Sequence, residues 1–157
     1  MLMNKLFDLT HKENIRQKKT LNLIASENYP SPKVLQLLGS VWNDKYAEGY
    51  PGKRYYAGNT GSDELESFVC EKALQVFDGS GEYGVNVQVL SGSPANMMVY
   101  LSVLEPGDTV LSLDLASGGH LSHLHSTSNL LDFYKHASYR LKIDEHSHEI
   151  DLNDYTD

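Results

Sequence analysis

The sequence predicts an α/β fold, because a helix-period segment is followed by a strand, a second helix and a second strand. From Ser62 the apolar residues Leu65, Phe68, Val69, Ala73, Leu74, Val76 and Phe77 recur at helical spacing until Asp78-Gly79 interrupts them. Val85, Val87 and Val89 alternate with Asn86 and Gln88 as a strand does; Ala95 to Leu104 then reads as a helix and Thr109 to Leu113 as an apolar strand. A parallel pairing of these two strands would make residues 85–113 a right-handed crossover unit. With 157 residues the chain is long enough for one core and short for two ordinary ones.

The remaining elements follow from their punctuation. Thr10-His11-Lys12-Glu13 fits a capping box, which predicts a short polar helix running toward Lys19 as a surface arm. Leu23 to Tyr29 is a connection. Ser31-Pro32, then Lys33 to Leu38 and Gly39, reads as a cap, a first-turn proline, one or two turns and a stop. Ala47 to Gly61 contains Gly49, Pro51, Gly52, Gly58 and Gly61, so a long irregular loop is expected. Glu105-Pro106-Gly107-Asp108 is a turn. Beyond Gly118-Gly119, short strands are expected at Asp132 to Tyr134 and Ser138 to Ile143, with a helix start at Asp151 to Asp157.

Composition limits the function. A chain 40% apolar and 22% charged is that of a folded protein, and wholesale disorder is excluded. Without an apolar run of membrane-spanning length or a secretory leader pattern, no membrane partner is expected and the cytosol is the expected compartment. Cys70 is the single cysteine, which rules out an internal disulfide and a cysteine zinc cage and suggests a buried thiol. A net charge of −8 argues against general nucleic-acid binding. Residues 1–56 are nonetheless net basic, while Asp144, Glu145, Glu149, Asp151, Asp154 and Asp157 have no Lys or Arg among them.

Three stretches carry possible chemistry. Ser91-Gly92-Ser93 lies between a strand and a helix expected to begin at Pro94; outward amides, a glycine and two hydroxyls suit a phosphate, although plain helix capping uses the same residues. Lys45 to Tyr56 interleaves Tyr46, Tyr50, Tyr55 and Tyr56 with Lys45, Lys53, Arg54 and Glu48. Phenol faces can stack on a planar ring and Glu48 can carry a proton; aromatic packing at an interface and a grip on single-stranded nucleic acid are the alternatives. Ser117-Gly118-Gly119-His120-Leu121-Ser122-His123-Leu124-His125 places imidazoles after a strand end, where His120 suits stacking on a cofactor. A metal would need ligands that this spacing does not supply, and the ordinary alternative is exposed loop histidines.

Taken in order, Leu23-Ile24-Ala25-Ser26-Glu27-Asn28-Tyr29, Lys45 to Tyr56, Ser91-Gly92-Ser93-Pro94-Ala95-Asn96 and Ser117-Gly118-Gly119-His120-Leu121 resemble serine hydroxymethyltransferase. The resemblance runs from about Leu21 onward. It implies part of the large domain of the aspartate aminotransferase-like (fold type I) transferases that use pyridoxal 5'-phosphate, preceded by a helical arm. Residues 1–60 would be the arm and the substrate and dimer loop, and 61–157 the first part of the cofactor-binding domain. The implied reaction interconverts serine and glycine while a one-carbon unit passes to tetrahydrofolate.

By position, Gly92 and Ser93 would hold the cofactor phosphate, His120 would stack on its ring, and Ser26 would meet the substrate carboxylate region. Tyr46, Glu48 and Tyr56 would surround the substrate, with Glu48 moving the proton and with Tyr46 and Glu48 reaching into the other site of a homodimer. Ser117 departs from the histidine often found before Gly-Gly-His, and Leu90 from an aromatic or histidine before Ser-Gly-Ser. The resemblance covers about the first third of the family's length. It leaves out the cofactor-binding lysine, the aspartate at the ring nitrogen and the arginine for the substrate carboxylate; Thr10-His11-Lys12 matches the lysine motif in letters only. The expectation is an incomplete piece, inactive alone and completed by a carboxyl-terminal part. The alternative is a non-catalytic module that binds a partner chain or a phosphorylated ligand.

Overall fold

The computed structural model describes residues 2–124, 129–143 and 150–151. In chain order it contains α1 (Leu2–Lys19), α2 (Pro32–Leu38), a 3-10 turn (Val41–Asp44), β1 (Gly49–Tyr50), β2 (Lys53–Arg54), α3 (Thr60–Phe77) and α4 (Gly92–Val103). β3 (Thr109–Leu113), a 3-10 turn (Asn129–Asp132), β4 (Lys135–Tyr139), β5 (Lys142–Ile143) and β6 (Ile150–Asp151) follow. The chain divides into two compact units, Met1–Phe68 and Val69–Asp157. Helices and small sheets agree with an α/β class in outline.

In the first unit, α1 begins well before the expected cap. Thr10 lies inside the helix and its hydroxyl donates to the Leu6 carbonyl at 2.9 Å. No glycine or proline interrupts residues 2–19, so nothing stops the helix from extending toward the amino end. Glu13 turns forward rather than back, accepting two bonds from Arg16 (2.8 and 2.7 Å) and one from Gln17 (2.9 Å). Arg16, Lys18 and Lys19 occupy the last turn, where positive charge meets the negative end of the helix dipole. α1 buries no residue.

α2 follows its punctuation: the Ser31 side chain accepts from the Val34 amide at 3.3 Å, Pro32 opens the helix and Gly39 ends it. α3 starts at Thr60, two residues before the expected position, because the Asn59 carbonyl already accepts the Asp63 amide at 2.9 Å. The loop before it is less irregular than expected. β1 and β2 pair antiparallel, Gly49 opposite Arg54 and Tyr50 opposite Lys53.

In the second unit the expected pairing is replaced by another. β3 pairs in parallel with β4, from Thr109 opposite Lys135 to Leu113 opposite Tyr139. Residues 85–89 form no strand, although Val85, Val87 and Val89 are half-buried and Asn86 and Gln88 exposed, the alternation a strand would show. The period survives because it is a property of side-chain burial; a strand also needs a ladder with a partner backbone, and residues 85–89 belong to no sheet among the described residues. Asp132 closes a 3-10 turn instead of opening a strand, and strand structure begins at Lys135. β5 and β6 pair antiparallel. Cys70 is half-buried rather than buried, its thiol 3.8 Å from the Val85 carbonyl. His125 and the expected helix after Asp151 lie outside the described residues. Among the described residues no helix is long and apolar enough to cross a membrane, and no group of three or more His, Cys, Asp or Glu side chains could hold a metal ion.

Candidate functional site

The tyrosine loop of the first unit is built on one guanidinium. The Arg54 side chain is only 5% exposed and forms ion pairs with Asp63 at 2.7 Å and Glu66 at 2.6 Å, both on α3. It also donates to the carbonyls of Ala47 (2.8 Å) and Gly49 (2.7 Å). The Gly52 amide donates to Asp63 at 2.9 Å. That amide first, and the guanidinium second, hold the Asp63 carboxyl below its ordinary value, and the two carboxylates raise the Arg54 value further. Gly49 has φ +103°, and a Cβ there would overlap the Lys53 carbonyl, so the hairpin requires glycine at this position.

A second anchor brings the tyrosines together. Asn59 is 4% exposed, and its side-chain amide donates to the carbonyls of Tyr46 (3.1 Å) and Tyr56 (3.2 Å). The two rings meet edge to face at 5.2 Å, and Tyr55 meets Tyr56 at 5.1 Å. Lys45 spans the loop mouth to the Gly58 carbonyl at 2.7 Å. Glu48 contributes its carbonyl to the Tyr55 amide at 3.0 Å, and the residue itself is exposed. Ser26 sits on a different turn, closed by the Glu27 amide on the Ile24 carbonyl at 3.0 Å, and borders a cleft of about 320 Å³ with Gln17, Asn22 and Tyr29.

In the second unit α4 begins at Gly92, two residues before the expected Pro94, which therefore falls inside the first turn. Proline is tolerated there because that turn's amides have no partner within the helix. Ser91 occupies the cap position without a side-chain cap bond, and a Cβ at Gly92 would meet nothing within 4 Å. Gly92 and Ser93 are exposed, and their amides belong to the first turn at the positive end of the helix, where an anion site would lie.

His120 is placed by the two glycines before it. Gly118 has φ +105°, and a Cβ on Gly119 would overlap the carbonyls of Leu113 and Asp114, so the chain turns tightly at the end of β3. Asp114 accepts the Ser117 amide at 2.7 Å and pairs with Arg140 at 2.9 Å; with the Ser117 hydroxyl as the leading cause, its carboxyl lies below the ordinary range. His120 borders a cleft of about 310 Å³ lined also by Leu113, Asp114, Ala116, His136 and Ser138. The carboxyl end of a parallel strand is where α/β folds place ligands. Ser122 joins the His120 loop to α4, accepting from the Asn96 side chain at 2.7 Å and contacting the imidazole Nδ1 at 2.7 Å.

The structure therefore brings Tyr46 together with Tyr56, and the His120 loop together with the helix that carries Gly92 and Ser93. Sequence reasoning missed Asn59 and Ser122 as anchors and gave Arg54 no structural role. An asparagine one residue before a helix start is a capping signal that would have pointed to Asn59. No local signal marks the reach of Arg54 to Glu66.

The family model for serine hydroxymethyltransferase matches residues 2–157. The serine hydroxymethyltransferase of Desulfotalea psychrophila is 48% identical over 136 residues, 87% of this chain and 31% of the relative. That of Coprothermobacter proteolyticus is 46% identical over 149 residues, 95% of this chain and 35% of the relative. A mitochondrial serine hydroxymethyltransferase of Eremothecium gossypii is 47% identical over 125 residues, 79% and 25%. The chain spans about a third of the length of these curated relatives or less. With its whole described length inside the family match, the chain belongs to the serine hydroxymethyltransferase family.

Proposed function

We propose that this chain is the amino-terminal part of an enzyme that binds pyridoxal 5'-phosphate and interconverts serine and glycine, with tetrahydrofolate as the one-carbon acceptor. The supporting observation is the uncapped, open first turn of α4 and its bond, through Asn96 and Ser122, to the loop that carries His120. These residues fit the cofactor: an anion has the first-turn amides of the exposed Gly92 and Ser93 and the Ser93 hydroxyl to meet, and a planar ring has an exposed imidazole beside a cleft. When bound, the cofactor supplies an electron sink for the substrate's α-carbon.

In this reading Gly92 and Ser93 bind the phosphate and His120 lies against the ring. Tyr46 and Tyr56, clamped by Asn59, shape the substrate site, and Ser26 meets the substrate carboxylate region. Glu48 takes and returns the proton of the substrate hydroxyl. Tyr46 and Glu48 serve the neighbouring site of a homodimer. Residues 1–60 form the arm and substrate loop and 61–157 the opening of a fold type I cofactor domain. The relatives' further length supplies the lysine, the ring-nitrogen aspartate and the substrate arginine, so the chain alone is inactive. The partners are small molecules and the completing chain, with no nucleic acid or membrane; the compartment is the cytosol, which a localisation experiment tests, given a mitochondrial relative of equal similarity.

The test is to mix the chain with the carboxyl-terminal remainder of the Coprothermobacter relative. The expected result is visible cofactor absorbance and tetrahydrofolate-dependent serine cleavage. A folded two-part complex with neither would overturn the proposal and leave the non-catalytic module, binding a partner chain or a phosphorylated ligand, as the better account.

A further inference from the structure

The cofactor reading assigns His120 a place against a ring but not the means by which that imidazole is held. Three hydrogen bonds settle its chemical form. The Ser122 amide lies 3.2 Å from Nδ1 of His120 and, being a backbone N–H, can only donate. Nδ1 is therefore an unprotonated acceptor, and the ring proton sits on Nε2. The Ser122 hydroxyl, 2.7 Å from the same Nδ1, must direct its single proton there too. Having no proton left, that hydroxyl accepts from Asn96, which fixes the side-chain amide with its NH2 toward Ser122 at 2.7 Å.

Asn96 lies four residues before Tyr100, so both occupy one face of α4. Burial pushes the Tyr100 phenol above its ordinary value, and its hydroxyl shares a hydrogen bond with His123 Nδ1 at 2.5 Å. The two imidazoles stand edge to face at 6.3 Å. One helix face thus anchors both rings, and it belongs to the helix whose first turn is the anion cradle.

We propose that Ser122 and Asn96 are positioning residues that hold His120 as the neutral Nε2–H tautomer and tie its ring to α4. The chain Asn96 NH2 to Ser122 hydroxyl to His120 Nδ1 leaves Nε2–H as the ring's one outward donor. The chemical purpose rests on the cofactor reading, but the tautomer does not, and it can be read without cofactor.

The experiment is two-bond 1H–15N correlation on 15N-histidine-labelled protein, the full chain alone and in the two-part complex. It is run at about pH 8, above the ordinary imidazole range, with His120 assigned by its loss in His120→Gln. The expected result is a single Nε2–H tautomer at His120, kept in Ser122→Ala by the backbone amide while magnetisation transfer between the ring and α4 is lost, and that transfer restored in Ser122→Thr. A mixed or Nδ1–H pattern in the parent protein overturns the proposal. So does a His120 ring that keeps its magnetisation transfer to α4 in Ser122→Ala. Should Ser122→Ala also disturb His136, Asn96→Ala decides. Loss of magnetisation transfer between the His120 ring and α4, with His136 unmoved, supports the proposal; its retention refutes it. Failure of the cofactor to bind would leave this result standing and would count against the proposed function alone.

Discussion

The loop from Lys45 to Asn59 and the stretch from Tyr83 to Leu90 reverse what their sequences suggest. The glycine-rich loop is held by a nearly buried guanidinium with four partners, a clamping asparagine and a two-residue hairpin. The valine stretch keeps a strand's alternation of burial but forms no ladder. The difference lies in where each finds its hydrogen bonds. Every partner of Arg54 lies within 12 residues along the chain, so the loop closes from its own neighbourhood. A strand is completed only by a second backbone, and backbone pairing is not encoded in the strand's own residues.

Removing the guanidinium is the largest way to break this contrast. Arg54→Met leaves Asp63 and Glu66 facing each other without their cation, and hydrogen-exchange protection at the Gly52 and Tyr55 amides should fall about a hundredfold or more. Arg54→Lys should rescue little, since an ammonium cannot reach two carboxylates and two carbonyls with the same planar fork. Retained protection in Arg54→Met would mean that the hairpin holds itself.

Leu124 tests the second unit at a single residue. It is fully buried and the only described non-glycine residue with positive φ, at 59°. Leu124→Ala should destabilise that unit by about 2–3 kcal/mol through lost burial. Leu124→Gly should cost less than alanine, because removing Cβ relieves left-handed strain of about 1–2 kcal/mol; thermal unfolding of the two variants compares them. Alanine as the milder change would show that the strain is absent.

Next comes Gly49→Ala, which forces a Cβ against the Lys53 carbonyl at positive φ and should cost more than about 1 kcal/mol while leaving α1 unchanged, as read by denaturant titration and circular dichroism. Val87→Asn sharpens the other side. It should stay within about 0.5 kcal/mol in the chain alone, as an unpaired position would, and weaken assembly of the two-part complex, measured by titration calorimetry, if that complex supplies the missing strand.

The smallest effect concerns α1. Its Arg16 and Gln17 bonds lower the Glu13 carboxyl from an ordinary 4.5 to about 2. A depressed folded value means that the helix gains from Glu13 above pH 4.5, gains less as the unfolded chain takes up its proton below that, and gains nothing once pH falls through about 2. Circular dichroism of the arm should show a small helix loss across that window, absent in Glu13→Gln and reduced by salt.

What the sequence made legible was mostly local. The Ser31 cap, the Gly39 stop, the α3 period and β3 depend on neighbours a few residues away, and all are found. Thr10 misled because a capping box and a mid-helix threonine share the same letters, and only the uninterrupted run from Leu2 distinguishes them. At the candidate site, Gly92, Ser93 and His120 could be singled out because a glycine between serines before a helix-period run and a glycine pair are punctuation. Asn59, Ser122 and the reach of Arg54 could not, since each acts on a carbonyl, an imidazole or a carboxylate that only folding brings near.

The central claim is that the first turn of α4 grips a phosphate beside His120, and competition binding in the two-part complex tests it most directly. Pyridoxal 5'-phosphate should bind far more tightly than pyridoxal, and Gly92→Asp, which sets a carboxylate at the first-turn amides, should erase the difference. Equal binding of the two forms by the parent complex would contradict the account.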